Sequence, residues 1–272
     1  GLGCLADLTT GYAAIVGFRF LVPRKESLMN KREISCFLIC TVFLASACDK
    51  SAVPTESAAV ENTTQVSMLS FEEQEAGTDL YPLRVLASPK FLRLDDGYAE
   101  SDFVLLDRDK KTIFSVAHDD RSIMVIANQP NNAPPPAELK LTVIRTPDKA
   151  APAIAGKQPE HLQYLANGET CFQSVNVSGI LETAVTAMAE YAELLADRQL
   201  NNMQAVPLNM QTPCFLSRYA YAPARHLQYG LPLQEWDSSG YTKTLVNFSD
   251  SEPLPLTLFE LPGDYQRFSP GQ

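Results

Sequence analysis

Three histidines are the residues best suited to acid–base or metal chemistry, because an imidazole titrates near neutrality and is a common metal ligand. They are His118, His161 and His226. Only His118 has acidic neighbours, Asp119 and Asp120. A metal site needs at least three converging ligands, whereas adjacent residues at a hairpin tip point in different directions. We therefore predict a tight polar turn here, which two aspartates favour, and no metal site.

Motifs for the common catalytic chemistries are missing from the sequence. It contains no G-x-S-x-G, no H-E-x-x-H and no glycine-rich phosphate loop. We therefore expect a protein that is not an enzyme and uses no cofactor. A weaker alternative is a hydrolase with an unrecognised site, in which His118 or His226 meets a carboxylate in a polar cleft.

Two further groups of residues, one acidic and one aromatic, can each be interpreted either as functional or as purely structural. Acidic side chains recur along a predicted helix, where we expect a solvated face rather than paired catalytic carboxylates: Glu182, Glu190, Glu193 and Asp197. Aromatic side chains in the C-terminal part line either a ligand pocket or, since strands select aromatics, a sheet core or cross-strand ladder. These are Tyr219, Tyr221, Tyr229 and Trp236.

Cys48 ends a segment with the features of an export signal. Lys31 and Arg32 precede the uncharged apolar run Ile34–Ala47, which is short for a membrane span. Leu44–Cys48 (LASAC) resembles the lipobox of bacterial lipoproteins, in which the cysteine is acylated and becomes the N-terminus. The resemblance implies a protein anchored by lipid in the bacterial cell envelope and facing the periplasm. An ordinary secretory signal, or a short N-terminal anchor, is the alternative.

Cys171 and Cys214 are the remaining cysteines after the signal. In an oxidising compartment an even pair predicts a disulfide, worth about 4 kcal/mol in the chain-entropy model. The alternative is a redox or nucleophilic cysteine.

The chain divides into four predicted segments. Residues 1–28 precede a complete signal that begins at Met29, and we expect them to be an over-extended upstream sequence. Residues 29–47 are the signal peptide, residues 48–70 a flexible tether rich in Ser, Ala, Thr and Glu, and residues 71–272 one β-rich domain. The net charge of −10 argues against nucleic acid as a partner.

Short β-type runs separated by turn residues dominate residues 83–146, which predicts a meander of antiparallel hairpins. Apolar residues at spacings of three and four from Leu181 to Leu195 predict one amphipathic helix, with Ser178 as its N-cap. Strands are predicted to return at Phe215–Tyr221, Leu231–Trp236, Tyr241–Phe248 and Leu256–Leu261. The expected fold is α+β: an antiparallel sheet with one long helix packed on it.

Five segments support a family resemblance. They are Leu92-Arg93-Leu94-Asp95-Asp96, Asp102–Asp107, Lys111–Val116, Arg121–Ile126 and the closing Phe259–Tyr265. Together they resemble the hairpin series of envelope lipoproteins of the LolA/LolB-like group. The resemblance implies a strongly curved antiparallel sheet, a half-open barrel, and in some members an apolar cavity that carries lipid or acylated protein.

The sequence thus predicts a non-catalytic, lipid-anchored envelope protein that binds an apolar ligand or a lipidated partner. A structural or assembly lipoprotein that docks a membrane complex is the alternative.

Overall fold

In the part of the chain that the structure describes, runs of β-branched and aromatic residues between turn residues form twelve strands, as their propensity predicts. The computed structural model describes residues 62–98 and 100–270. The strands are β1 (Thr63–Gln74), β2 (Tyr81–Ala87), β3 (Phe91–Asp95), β4 (Phe103–Asp107), β5 (Thr112–Ala117), β6 (Ser122–Ala127), β7 (Leu141–Pro147), β8 (Glu160–Ala166), β9 (Glu169–Val177), β10 (Leu231–Trp236), β11 (Thr242–Pro255) and β12 (Gln266–Phe268).

The strands form one open sheet in the order β12-β6-β5-β4-β3-β2-β1-β11-β10-β9-β8-β7. Every pairing is antiparallel except that of β12 with β6, which is parallel. Strands β1 to β6 follow one another as neighbours. The predicted antiparallel meander is therefore confirmed.

A narrow junction divides the sheet into two halves. Strand β10 pairs with β11 through only three residue pairs, from Gln234–Thr244 to Trp236–Thr242. The register of β10 against β9 shifts between Pro232 and Gln234, as expected where a proline lacks its N–H donor. We call β1–β6, β11 and β12 the first half, and β7–β10 the second half. Both belong to one compact unit.

The centre of the first half is buried on both faces. All five residues of β4 are buried, although successive side chains of a strand point to opposite faces. On one face Leu86, Phe103 and Leu105 pack with Phe259 from the C-terminal segment. Arg93 donates to the carbonyl of Leu258 at 2.6 Å, which fixes that segment on the sheet.

Helix α1 (Glu182–Asn201) contacts β1, β2 and β3, and its most buried residues include the small Ala184 and Ala187. Arg108, in the turn after β4, holds the carboxylate of Glu190 through two hydrogen bonds of 2.6 and 2.9 Å. Within residues 62–98 and 100–270, no helix is long and apolar enough to cross a membrane.

The helices differ from the prediction in number and in capping. The N-cap of α1 is Leu181, whose φ of 51° is left-handed, and not Ser178. A second helix, α2 (Pro213–Leu216), continues into the π-helical turn Ser217–Tyr221 where a strand was predicted. The reason is a cap: Pro213 takes the first helical position and the Thr212 hydroxyl accepts from the Phe215 N–H. The described part of the molecule is thus mainly β, and it contains the short helix α2 besides the one long helix that was predicted.

Two other boundaries differ. The predicted strand Leu256–Leu261 is a 3₁₀ helix, Leu256–Phe259, which follows Pro255. The predicted tether reached residue 70, but Thr63–Gln74 is strand β1 and pairs on both edges. Val66 and Leu69 supply the buried side chains that a tether would lack. The predictions for residues 1–61, including the signal and Cys48, lie outside the described residues.

Candidate functional site

The predicted disulfide is present. Cys171 on β9 and Cys214 on α2 are joined, with an S–S distance of 2.09 Å. The bond ties the helical segment after α1 to the second half of the sheet. Both thiols are consumed by the bond, so neither acts as a nucleophile in this state.

His118 does not form a metal site with Asp119 and Asp120. Its Nδ1 lies 2.8 Å from the hydroxyl of Tyr265, and its backbone N–H donates to Asp102. Asp119 and Asp120 are exposed at the turn. Among the residues that the structure describes, no group of three or more His, Cys, Asp or Glu could hold a metal ion. The role of His118 is to anchor the C-terminal segment.

The predicted acidic face of α1 is only partly solvated. Glu182 and Glu193 are exposed, whereas Glu190 pairs with Arg108. Asp197 accepts from the backbone N–H of Asn131 at 3.1 Å and so holds the proline-rich loop before β7. Glu190 and Asp197 thus position elements of the fold.

The inward face of the second half is an aromatic and cationic cluster centred on Phe172. Tyr164 stacks on Phe172 with ring centroids 4.4 Å apart. Arg218, Arg225 and His226 surround the same ring, with distances to its centroid of 4.6, 5.7 and 5.7 Å. We call these five residues the Phe172 cluster.

Arg225 is the most deeply buried cation of the Phe172 cluster. It is 6% exposed, and one nitrogen, Nη1, donates to the carbonyl of Leu165. Its Nε and Nη2 are buried and have no hydrogen-bond partner among the described residues. Burial lowers the pKa of the guanidinium. Because the cation lies 5.2 Å from the centre of the Tyr164 ring, cation–π attraction offsets part of the desolvation cost.

His226 meets a carboxylate, as the hydrolase alternative requires. Its Nε2 lies 3.4 Å from Oε1 of the buried Glu235, and burial lowers the pKa of the imidazole. Its Nδ1 is buried without a hydrogen-bond partner in the described part of the chain. The hydroxyl of Ser174, on the same face, is engaged by Tyr164 and Asn176. An acyl-transfer site needs a nucleophile within hydrogen-bond reach of the base and access for substrate. The contacts described around His226 supply no such nucleophile.

The outward face of the second half is different in exposure and chemistry. Along β8, Leu162, Tyr164 and Ala166 are fully buried, while the residues between them are half-buried. Strand β9 alternates in the same way. The pairing register places eight residues of β8 to β11 on this outward side, which we call the Trp236 face: His161, Gln163, Gln173, Val175, Gln234, Trp236, Thr242 and Thr244.

Trp236 is held in one orientation on this face. Its indole is nearly parallel to the His161 imidazole, with an interplanar angle of 10° and centroids 5.5 Å apart. His161 Nε2 lies 3.0 Å from Oε1 of Gln173. Since a carbonyl oxygen only accepts, the ring donates from Nε2. The stack and the hydrogen bond order Trp236, His161 and Gln173 together.

The four aromatics predicted as one set are separated by the sheet. Tyr229 lies on the inward side near Tyr164, and Tyr219 packs on Phe215 in the helical segment. Trp236 lies outward with His161. The polar–apolar alternation of residues 160–166 (EHLQYLA) was the signal for this placement.

Comparison with known proteins adds little to these observations. No family model and no curated protein matches the chain. It is similar to an uncharacterized conserved protein from Thermus thermophilus, at 10% identity and a TM-score of 0.39, over 75% of this chain and 90% of that one. It is also similar to PNGF-II in two crystal forms, at 9% and 8% identity and TM-scores of 0.35 and 0.36. These two alignments cover 76% of this chain and 31% and 32% of the PNGF-II chains. Scores this low carry neither a fold assignment nor a function to this chain.

Proposed function

We propose that this chain is a non-catalytic binding protein of the bacterial cell envelope, anchored by lipid at Cys48, and that the Trp236 face is its binding surface. The anchor and the location are supported by the lipobox-like segment Leu44–Cys48 alone. The LolA/LolB-like resemblance, with its curved, half-open sheet, belongs to the same proposal. The order from β12 to β7 leaves two open sheet edges, as that form requires.

One observation carries the binding role. The chain's single tryptophan, stacked on His161, stays half-buried on the outward side, while the opposite side of the same strands is fully packed. Trp buries a large area on contact and is enriched where proteins bind partners. A sheet face needed only for stability gains nothing from leaving such a side chain partly in water.

The hydrolase alternative rests on the contact between His226 and Glu235. It is tested by ester and amide turnover of the intact chain beside His226→Ala. We expect no turnover that the substitution removes. Turnover that disappears in His226→Ala and not in His161→Ala would replace the binding role with a catalytic one.

Fluorescence of the single tryptophan tests the binding role directly. The full chain, purified in a detergent without a sugar head group, is titrated with lipid, saccharide and protein fractions of bacterial envelopes. We expect a saturable change in Trp236 emission with one class of fraction. The assembly alternative predicts that the protein fraction acts. No change with any fraction would rule out the Trp236 face as a binding surface.

The anchor needs a separate test. We expect a fatty-acid probe to label the full chain in bacteria, and Cys48→Ser to abolish labelling and release the protein from membranes. An unlabelled wild-type chain would contradict the envelope assignment without affecting the fluorescence result.

A further inference from the structure

We infer that the Trp236 face binds a neutral saccharide, an inference that rests on the proposed binding role and names its ligand class. The described contacts give the face three properties that together select this class: a fixed aromatic ring, a set of amides and hydroxyls, and the lack of ionised side chains.

The aromatic ring supplies an apolar contact of defined orientation. A pyranose ring has one face of C–H bonds, which loses little when it leaves water and packs against an indole. Because the His161 stack already orders Trp236, little side-chain entropy remains to be lost on binding.

The amides and hydroxyls supply the polar contacts. Gln163, Gln173 and Gln234 each carry a carbonyl acceptor and two amide N–H donors, and Thr242 and Thr244 carry hydroxyls. Sugar hydroxyls both donate and accept, so they pair with either end of an amide. A purely apolar ligand would cover these groups without pairing them, which costs free energy. The polar groups therefore argue against the apolar ligand expected from the sequence.

The charge of the face narrows the class of ligand further. With histidine neutral, no residue of the Trp236 face carries a formal charge. The neighbouring residue on β1 is the exposed Glu72, which lies opposite Thr244 in the strand register. Glu235 and Lys243, on the same strands, belong to the opposite, inward side. The whole chain carries 22 basic and 32 acidic residues and so repels a polyanion. A cationic ligand lacks a carboxylate to pair with on the face itself.

The dimensions fit a short oligosaccharide. Four neighbouring strands, from β8 to β11, span about 14 Å across the sheet at a spacing of about 4.8 Å. This width accommodates roughly three sugar rings laid across the strands, with one of them on Trp236.

The test compares four ligands: two neutral hexasaccharides, one cationic hexasaccharide of the same length, and a lipid. The full chain, in a detergent without sugar, is titrated with neutral chitohexaose and cellohexaose, with cationic glucosamine hexamer and with phosphatidylglycerol added as mixed micelles. Trp236 emission is recorded, and calorimetry gives the affinity. We expect saturation with at least one neutral hexamer and no response to the cation or the phosphatidylglycerol.

Variants tie the response to the face. Gln173→Ala removes one amide and disturbs His161, so we expect about a tenfold loss of affinity; Trp236→Ala should abolish calorimetric binding. Tyr98→Ala, at an exposed tyrosine outside the face, is the matched control and should bind as wild type. Unchanged melting temperatures of the variants exclude misfolding as the cause.

Three outcomes overturn the inference, and they bear differently on the proposed function. Saturable emission changes with phosphatidylglycerol or with a protein fraction, and none with any neutral hexamer, overturn the saccharide and leave the binding role. No change in emission with any ligand overturns both the saccharide inference and the binding role. Neutral-hexamer binding that survives Trp236→Ala places the saccharide elsewhere and overturns the inference.

Discussion

At the scale of single residues, the strongest constraint is the buried carboxylate of Asp95. Its side chain is fully buried and is held by Arg93 at 2.6 Å and Arg84 at 2.8 Å. Burial alone would raise the pKa of Asp95, but the two arginines lower it below its ordinary value. Arg93 also lies over the Phe103 ring and holds the Leu258 carbonyl, so the ion pair links three parts of the first half.

We expect Asp95→Asn to destabilise the fold by about 3–5 kcal/mol, because it leaves two cations, one of them deeply buried, without their carboxylate. The free energy of unfolding from urea titrations measures this. Asp109→Asn, at an exposed turn position, is the control and should change it by less than about 0.5 kcal/mol. A loss below about 1 kcal/mol for Asp95→Asn would show that the pair is not a structural requirement.

His226 gives the second prediction at this scale. Burial lowers its pKa in the folded state, an effect opposed by Glu235 and reinforced by Arg218, Lys243 and Arg225. The unfolded chain binds a proton below about pH 6.5, where the folded chain does not. Since stability rises with pH wherever the unfolded state binds more protons, the free energy of unfolding should fall as the pH drops below about 6.5.

Urea titrations between about pH 5 and pH 8 measure this slope, and His226→Gln should reduce it. The substitution removes the titrating group, so the comparison depends on slopes and not on absolute stability. An equal slope in wild type and variant would mean that the pKa of His226 is the same in the folded and unfolded chains.

At the scale of elements, the position of α1 depends on Arg108 and Glu190. The Arg108 guanidinium also donates to the carbonyls of Ser88 and Pro89, so it joins the turn after β4 to the turn after β2 and to the helix. Helix α1 buries alanines for the most part, and each contributes little apolar area. The ion pair therefore adds a specific contact to the packing of α1.

We expect Glu190→Ala to lower the free energy of unfolding by about 1 kcal/mol, a value discounted because the Glu190 side chain is 39% exposed and screened by water. Glu193→Ala, one turn along and exposed, is the matched control and should have almost no effect. Added salt should reduce the difference between the two variants. Equal effects of the two substitutions would assign the packing of α1 to its apolar contacts alone.

Local patterns predicted most of the elements but not those decided by capping or by distant contacts. The hairpins from β3 to β6 and the strand Leu231–Trp236 follow from alternation and turn residues, and the disulfide from cysteine number. Residues 215–221 (FLSRYAY) look like a strand because aromatics and alternation favour one, yet the cap at Thr212-Pro213 makes them helical. The Trp236 face escaped prediction because it assembles from strands about 60 residues apart in the chain, and single-strand patterns do not show which strands become neighbours.

At the scale of the whole molecule, the two sheet halves differ in how well they are buried. Strands β3 and β4 lie at the centre of the first half with nearly every residue buried. Strand β7 is an edge strand and is exposed along almost its whole length. The halves share three residue pairs at the junction of β10 and β11. Such a gradient of burial predicts local opening that begins in the second half.

The disulfide ties helix α2 to β9 of that second half, with a sequence separation of 43 residues. In the chain-entropy model a loop of this length stabilises the fold by about 4 kcal/mol. If the halves open independently, most of that stabilisation is felt by β9 and the strand paired with it, β8. We therefore expect the double variant Cys171→Ala and Cys214→Ala to raise amide exchange at least about tenfold in β8 and β9, with a much smaller change in β3 and β4. Hydrogen–deuterium exchange of matched peptides from both halves measures this, with wild type under the same oxidising conditions as the reference. A uniform increase across all four strands would show that the narrow junction transmits the loss and that the sheet opens as one unit.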